Sequence, residues 1–471
     1  MTAIVWFRRD LRVHDHAALT SALLSGREVL AVFVFDPALM CGSWSSANRN
    51  WFLVESIRAL DESLRARGSR LHVRTGDPCK EIAQIAAEVG ASDVYVSKDY
   101  APYGIRRDAR VRESLGNSGV RFHEMPGVLA VEPEDLVAPG SKPAHSYSQF
   151  KKRWDAAALR HVLSAPLSLP PPYRLSPGAL PTVQRPSAAI VTPGEDAARD
   201  RLDRFLAGSV HSYAADRDTP AFTSATSRIS QDLRFGLLSP AEVIARARQR
   251  GEAAAKFVSE IAWREFYFHL LWRHPQLLRQ PLDRRFEAFP WRSDPESFAA
   301  WCEGRTGYPM VDAAIRELLA TGYMHNRARM VAASFLVKHL RIDWREGERF
   351  FMRHLVDGDP ANNNGGWQWT AGCGTDAQPF FRIFNPILQG KKFDPAGEYV
   401  RRWLPALRDV PAAFVHSPWE MPAETQQLAN CVVGRDYPAP IVNHAEARQL
   451  ALDAFATLKR SPVGSRERRV S

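Results

Sequence analysis

The chain has 471 residues, two or three domains at about 150 residues each, and its 45% hydrophobic and 24% charged residues are ordinary globular usage that excludes wholesale disorder. Lys and Arg number 62 against 52 Asp and Glu, a formal net charge of +10 that favours phosphate-bearing partners and plain solubility alike. The longest apolar runs, such as 29–35, fall far below the roughly 18 residues a membrane helix needs. Charges at Arg8, Arg9, Asp10 and Arg12 argue against a secretory signal, and five scattered cysteines without a CxxC pair argue against a disulfide scaffold or a cysteine zinc site and suit a reducing cytosol.

Over the first 125 residues, β-rich runs at 4–7, 29–35, 70–74, 94–97 and 120–124 alternate with helical patterns at 16–24, 48–67, 79–89 and 105–115. Phe52, Ile57, Leu60 and Leu64 lie near one stripe of the second helix. Such alternation with short connections predicts an α/β domain over 1–128, a Rossmann-like doubly wound parallel sheet of five strands. The segment Trp6-Phe7-Arg8-Arg9-Asp10-Leu11-Arg12 contains no glycine, so the GxGxxG mode of gripping a pyrophosphate is absent. Eight prolines in 166–193 predict an extended linker, placed at 129–195. Beyond it, helical patterns at 197–205, 239–248, 254–273, 310–321, 327–340, 344–355 and 444–459 predict one large all-α domain over 196–460, with polar loops, notably 357–374. The tail 461–471 is expected to be disordered.

Three stretches carry chemistry. The run Asp357-Gly358-Asp359-Pro360-Ala361-Asn362-Asn363-Asn364-Gly365-Gly366-Trp367-Gln368-Trp369 packs carboxylates, amides, glycines and indoles together. It reads either as a polar turn beside a tryptophan-filled core or as the wall of a planar, polar-edged ligand. Thr226-Ser227-Arg228-Ile229-Ser230 offers hydroxyls and a guanidinium for a phosphate, or helix caps. Glu260, Trp263 and Arg264 share a helix face, as do Asn326, Arg329 and Met330; a surface ion pair and a core methionine are the plain alternatives.

Taken with Phe381-Arg382-Ile383-Phe384-Asn385-Pro386, Trp263-Arg264-Glu265-Phe266-Tyr267 and Tyr323-Met324-His325-Asn326-Arg327, these motifs resemble the DNA photolyase/cryptochrome family from Trp6 to about residue 455. The greatest similarity is to class I cyclobutane pyrimidine dimer photolyases, monomeric flavoenzymes that split dimers in DNA with blue light. The resemblance implies FAD held by Tyr213, Thr226, Ser227, Arg228, Ile229, Ser230, Arg329, Asp357, Gly358 and Asp359, with Arg329 paired to Asp357. It implies Asn363 facing flavin N5, where a neutral amide tolerates a reduced flavin that a carboxylate would repel. At the lesion it implies Trp263 and Trp369 as an apolar wall, Met330 against the thymine pair of the dimer, Asn326 and Arg327 as polar contacts and Glu260 as a hydrogen-bonding carboxyl. Trp367, Trp344 and Trp291 match an electron path; Trp272, Trp301, Trp403 and Trp419 are left to packing.

A second chromophore is expected from Asp99-Tyr100-Ala101-Pro102-Tyr103-Gly104-Ile105-Arg106-Arg107-Asp108, which resembles deazaflavin-binding members. Arg49, Asp99 and Arg234 would hold 8-hydroxy-5-deazaflavin. Ala101 and Arg234 depart from the usual acidic residue and lysine. Folate-binding members carry glutamate where Gly104 stands, which makes methenyltetrahydrofolate the alternative. The expected partner is DNA containing pyrimidine dimers, with no membrane and no metal, for a cytoplasmic monomer. The rivals are a cryptochrome photoreceptor, which usually relies on a longer C-terminal extension, and a (6–4) photolyase, which relies on a histidine pair where Asn326 and Met330 stand.

Overall fold

The computed structural model describes residues 2–137, 146–171, 175–186, 188–376 and 382–460; Phe381 and the expected disordered tail lie outside them. The described residues belong to two compact units. One comprises Met1–Ala215, Ser224–Pro275 and Leu355–Asn362, the other Asp216–Thr223, Gln276–His354 and Asn363–Ser471. This division does not follow the expected boundaries near 128 and 195: helix Glu195–Ala207 packs on helix Ala47–Arg65 and falls in the first unit.

In the first unit, β1 (Thr2–Phe7), β2 (Glu28–Phe35), β3 (Leu71–Thr75), β4 (Ala91–Ser97) and β5 (Arg121–Met125) form one parallel sheet in the order β3-β2-β1-β4-β5. The near-continuous apolar runs of β1 and β2 are buried, as strands covered on both faces must be. Helix Ala47–Arg65 buries Phe52, Ile57, Leu60 and Leu64. Ile82 and Ile85 of helix Pro78–Glu88 join Val111 and Leu115 of helix Pro102–Gly116 against Ile4, Val32 and Val94.

The proline-rich stretch runs beside the edge strand β3, where the Val73 N–H donates to the Pro177 carbonyl at 2.8 Å. Prolines accept such bonds but cannot extend a ladder, so the edge is covered and closed. The expected linker is not wholly extended. Ser146 caps a helix at Tyr147–Ala156 that buries Phe150 and Trp154. That helix and the preceding segment are pinned by Glu265, whose carboxylate accepts from the Ala130 N–H at 2.5 Å and from Trp154 Nε1 at 2.7 Å. Helices Glu195–Ala207, Pro240–Arg248 and Ala255–Arg273 complete this unit's main helices.

The second unit is helical, with Pro309–Thr321, Trp344–His354 and His444–Arg460 near their expected spans. Two expectations change. The pattern at 327–340 is an α-helix, Asn326–Ser334, that widens into a π-helical turn at Phe335–His339. The wider turn puts all five of those side chains inside, Lys338 included, whose Nζ donates to the Arg382 carbonyl at 3.2 Å. Residues 360–371, expected within a polar loop, are a helix.

Gly236 ends the short helix Ser230–Phe235 at φ +66, and a Cβ there would stand 1.9 Å from the Arg9 carbonyl oxygen. Arg12 Nη1 donates to the Gly236 carbonyl at 2.9 Å, so this glycine seats the basic motif after β1. Gly236→Ala is expected to cost about 2 kcal/mol or more, from backbone strain plus overpacking. An unchanged urea midpoint would show that the contact yields freely.

Candidate functional site

Helix Pro360–Ala371 exists despite two glycines and three asparagines because its start is capped and its flank is bolted down. Pro360 takes the first helical position, where no N–H is needed. Asp359 Oδ1 accepts from the Ala361 N–H at 2.9 Å and the Asn362 N–H at 3.2 Å. Within the second unit, Asn364 and Gln368, one turn apart, are buried brackets. Asn364 Nδ2 donates to the Leu277 carbonyl at 2.9 Å and to Glu348 Oε1 at 3.0 Å. Gln368 Nε2 donates to Asn364 Oδ1 at 2.9 Å, while Gln368 Oε1 accepts from the Leu282 N–H at 2.9 Å. The polar run is therefore structural at 364 and 368.

Asn363 differs. It is half-buried, and its Nδ2 donates to the Glu348 main-chain carbonyl at 3.0 Å. That bond fixes the amide's orientation and leaves Oδ1 as an acceptor. Trp367 follows one turn later on the same face, buried against Phe351 at 4.9 Å and Trp301 at 6.2 Å between ring centroids. Helix Trp344–His354 lies against the Trp367 edge at Gly347, where a Cβ would stand 2.1 Å from the indole. Trp344 is wholly buried, and Trp291 packs on Phe289 at 4.3 Å. Among the described residues these three tryptophans share no ring contact with one another, and the aromatic neighbours of Trp367 include Trp301, which the resemblance leaves to packing.

Also in the second unit, Asn326 Nδ2 reaches Met330 Sδ at 3.7 Å, placing the two on one exposed face. Arg327 lies over the Phe393 ring at 4.2 Å and pairs with Asp218 at 2.6 Å. Arg329 Nε donates to the Met324 carbonyl at 2.7 Å. Trp369 is half-buried.

In the first unit, Trp263 stacks on Tyr147 with centroids 3.7 Å apart and planes within 8°. Glu260, on the same helix, is 3.0 Å from Lys256 and partly exposed. Arg264 turns inward instead, both Nη atoms 3.3 Å from the Val128 carbonyl. Tyr213 is buried against Phe205 and Phe257. Arg228 sits at φ +51, a conformation that costs an arginine energy and that the Gln231 side chain braces by donating to its carbonyl at 2.6 Å. Ile229 is buried beneath the loop. Among the described residues the hydroxyls of Thr226, Ser227 and Ser230 make no protein hydrogen bond, so their capacity is unspent. A loop of braced backbone and unspent hydroxyls fits a polyanionic cofactor.

Two of the three residues expected at a second chromophore, Arg49 and Arg234, meet the segment 355–359, and Asp99 is linked to it through Arg9. Arg49 Nη1 donates to the Leu355 carbonyl at 2.9 Å, and Arg234 Nε donates to the Gly358 carbonyl at 2.9 Å. Asp99 lies between Arg9 at 3.8 Å and Arg107 at 3.4 Å. Asp357 is buried beside these cations. Burial alone would raise the Asp359 carboxyl, but Arg9, Arg234 and Arg264 outweigh it and hold it at about 2. Burial lowers Arg234 to about 9 and Arg49 to about 10.

The sequence reading missed Arg9, Glu348 and Tyr147. Arg9 stands in the glycine-free motif after β1, and nothing local marks the other two.

Residues 3–172 match the family model described as DNA photolyase, and residues 257–457 match the FAD binding domain of DNA photolyase. The chain is 41% identical to a deoxyribodipyrimidine photo-lyase of Agrobacterium fabrum, over 97% of this chain and 98% of that one. Its fold is similar to a bacterial class III photolyase from Agrobacterium tumefaciens, with TM-score 0.90, 39% identity and 98% of each chain covered. It is also similar to a Synechocystis cryptochrome, with TM-score 0.88, 32% identity and 96% and 99% covered.

Burial pushes the Glu348 carboxyl up to about 7, against the lowering effect of the Asn364 amide. An acid raised by folding stabilises the fold fully below its unfolded value, about 4.3, and loses that contribution as pH climbs toward 7. Glu348→Gln keeps the acceptor for Asn364 but cannot ionise. Its melting temperature relative to wild type is expected to rise between pH 5 and pH 8; a difference independent of pH would mean Glu348 does not titrate there.

Proposed function

The chain belongs to the DNA photolyase family, and from that premise we propose that it repairs cyclobutane pyrimidine dimers in DNA with light. The observation that carries this reading is Asn363, a neutral amide oriented by the Glu348 carbonyl so that an acceptor oxygen is free for a flavin N5–H. FAD held by this chain would, when reduced and excited, supply the electron for opening the two ring bonds of the dimer and take it back, with no net redox change.

The residues assigned to the cofactor are Tyr213, Thr226, Ser227, Arg228, Ile229, Ser230, Arg329, Asp357, Gly358, Asp359 and Asn363. The unspent hydroxyls and braced Arg228 backbone support this assignment. Trp263 and Trp369 offer indole faces to an extruded lesion, and Met330, Asn326 and Arg327 complete its contacts. A crosslinked dimer stacks poorly, so its extrusion costs less than that of an intact pair. The Tyr147 stack stiffens Trp263 for that role. Glu260 hydrogen-bonds the lesion; its partner Lys256 is exposed, and exposed ion pairs are weak and exchangeable. Trp367, Trp344 and Trp291 carry electrons inward when a resting flavin is reduced. The excess of basic residues grips DNA phosphates in a salt-dependent way.

An antenna chromophore of the 8-hydroxy-5-deazaflavin type is favoured by Gly104. A Cβ there would stand 2.3 Å from the Asp99 carboxyl carbon, so the glutamate of folate-binding members does not fit beside Asp99. The protein acts as a cytoplasmic monomer; scattered cysteines, odd in number, support a reducing compartment.

Incubation with thymine-dimer DNA under blue light should restore intact thymines. Release of no thymine, with flavin bound, would favour a cryptochrome-like sensor, and repair of (6–4) products alone would favour the other rival. Glu260→Ala is expected to lower the repair yield per photon while flavin stays bound; an unchanged yield removes Glu260 from the lesion. Trp367→Phe is expected to block photoreduction of oxidised flavin and to spare repair by enzyme already reduced. Photoreduction at the normal rate would overturn the electron path and turn attention to other aromatics.

A further inference from the structure

Arg9 stands two residues after β1, in the Trp6–Arg12 segment, yet its Nη2 donates to Asp359 Oδ2 at 2.5 Å, 350 positions away in sequence. Its Nη1 faces Asp99 Oδ1 at 3.8 Å, and its guanidinium lies over the Phe268 ring at 5.2 Å. All four residues belong to the first unit. Asp359 Oδ1 simultaneously caps the helix that continues to Asn363, Trp367 and Trp369. Asp99 Oδ1 meanwhile accepts from the Ala101 N–H at 3.1 Å and fixes the turn into helix Pro102–Gly116. One guanidinium thus hydrogen-bonds the carboxylate that starts the Asn363 helix and lies within ion-pair distance of the carboxylate that shapes the Asp99 loop. Phe268 behind it removes the room for it to move away.

We propose that Arg9 is a positioning residue which couples the Asp99 loop to the start of the Asn363 helix, so that a change at Asp99 is felt as a change in flavin binding. The flavin part rests on the function proposed above; the coupling of loop to helix does not. The coupling requires a fork. A lysine supplies one point charge and reaches one carboxylate at a time, whereas the guanidinium presents separate N–H groups in fixed directions. Arg234 Nε, 3.8 Å from Asp359 Oδ2 and bonded to the Gly358 carbonyl, keeps Asp359 partly neutralised when Arg9 is changed, which protects the fold in the variants. Coupling between two sites is reciprocal, so flavin loading would in turn restrain the Asp99 loop.

The test is a double-mutant cycle on the full chain with two readouts. One is the FAD dissociation constant from flavin fluorescence. The other is hydrogen-exchange protection of the Ala361 and Asn362 amides in FAD-free protein. In the wild-type background, Asp99→Asn is expected to weaken FAD about threefold or more and to lower protection of both amides. In the Arg9→Lys background the same change should move neither readout, and Arg9→Gln should behave alike where it folds. Equal shifts in the wild-type and Arg9→Lys backgrounds, or no shift in either, would overturn the proposal. If the wild-type chain takes up no FAD, the flavin reading fails by itself, and the amide protection still decides whether Arg9 couples loop to helix.

Discussion

Asp359 works in two directions at once, and the chemistry-bearing helix depends on it. One oxygen closes the first turn of Pro360–Ala371; the other meets Arg9. Three asparagines and two glycines make this segment one of the poorest helix formers in the chain. A cap supplies about 1 kcal/mol, which does not offset such a composition alone. The remainder comes from tertiary bonds, since Asn364 is held to the Leu277 carbonyl and Glu348, and Gln368 at three points to the 277–282 segment. The helix is thus made by its surroundings, and those surroundings are what orient Asn363.

The same economy explains why parts of the architecture were readable from the sequence and others were not. Strands β1 and β2 announce themselves because a parallel strand covered on both faces must be apolar along nearly its whole length. The Ala47–Arg65 helix declares its buried stripe by spacing. Residues 360–371 carry no such signal, because amide brackets to distant carbonyls leave no local period. The π-turn at Phe335–His339 was hidden for the related reason that it buries a lysine, Lys338, among apolar neighbours, with burial lowering that amine to about 8.

Candidate chemistry was legible as residue type and ambiguous as role. Glu265 and Arg264 sit between Trp263 and Phe266 in a stretch that reads as a site, yet both are spent on main-chain groups of the 128–131 segment. Asn363 and Asn364 are neighbours of identical type; one is a bracket and the other retains an acceptor. The distinction lies in which carbonyls the fold brings within reach, and no single-sequence pattern encodes that. Arg9 shows the converse error, where a residue central to the buried charge network looked like background because its partners lie about 90 and 350 positions away.

Tryptophan shows how packing sorts a residue type that composition only counts. Trp154 and Trp301 are both wholly buried, and each spends its indole N–H, the first on Glu265 and the second on the Ala332 carbonyl at 3.0 Å. Those bonds mark rings whose burial is secured as structure. Trp291 and Trp367 bury the same N–H with no partner among the described residues. An unpaired buried donor carries a cost that packing alone must offset. An unpaired donor of this kind does not by itself assign a role to the ring. Trp403 also leaves its N–H unpaired, so the mark is not sufficient by itself. What separates Trp367 from Trp403 is position: it stands one turn beyond Asn363, on a helix whose every anchor serves to hold that face in place.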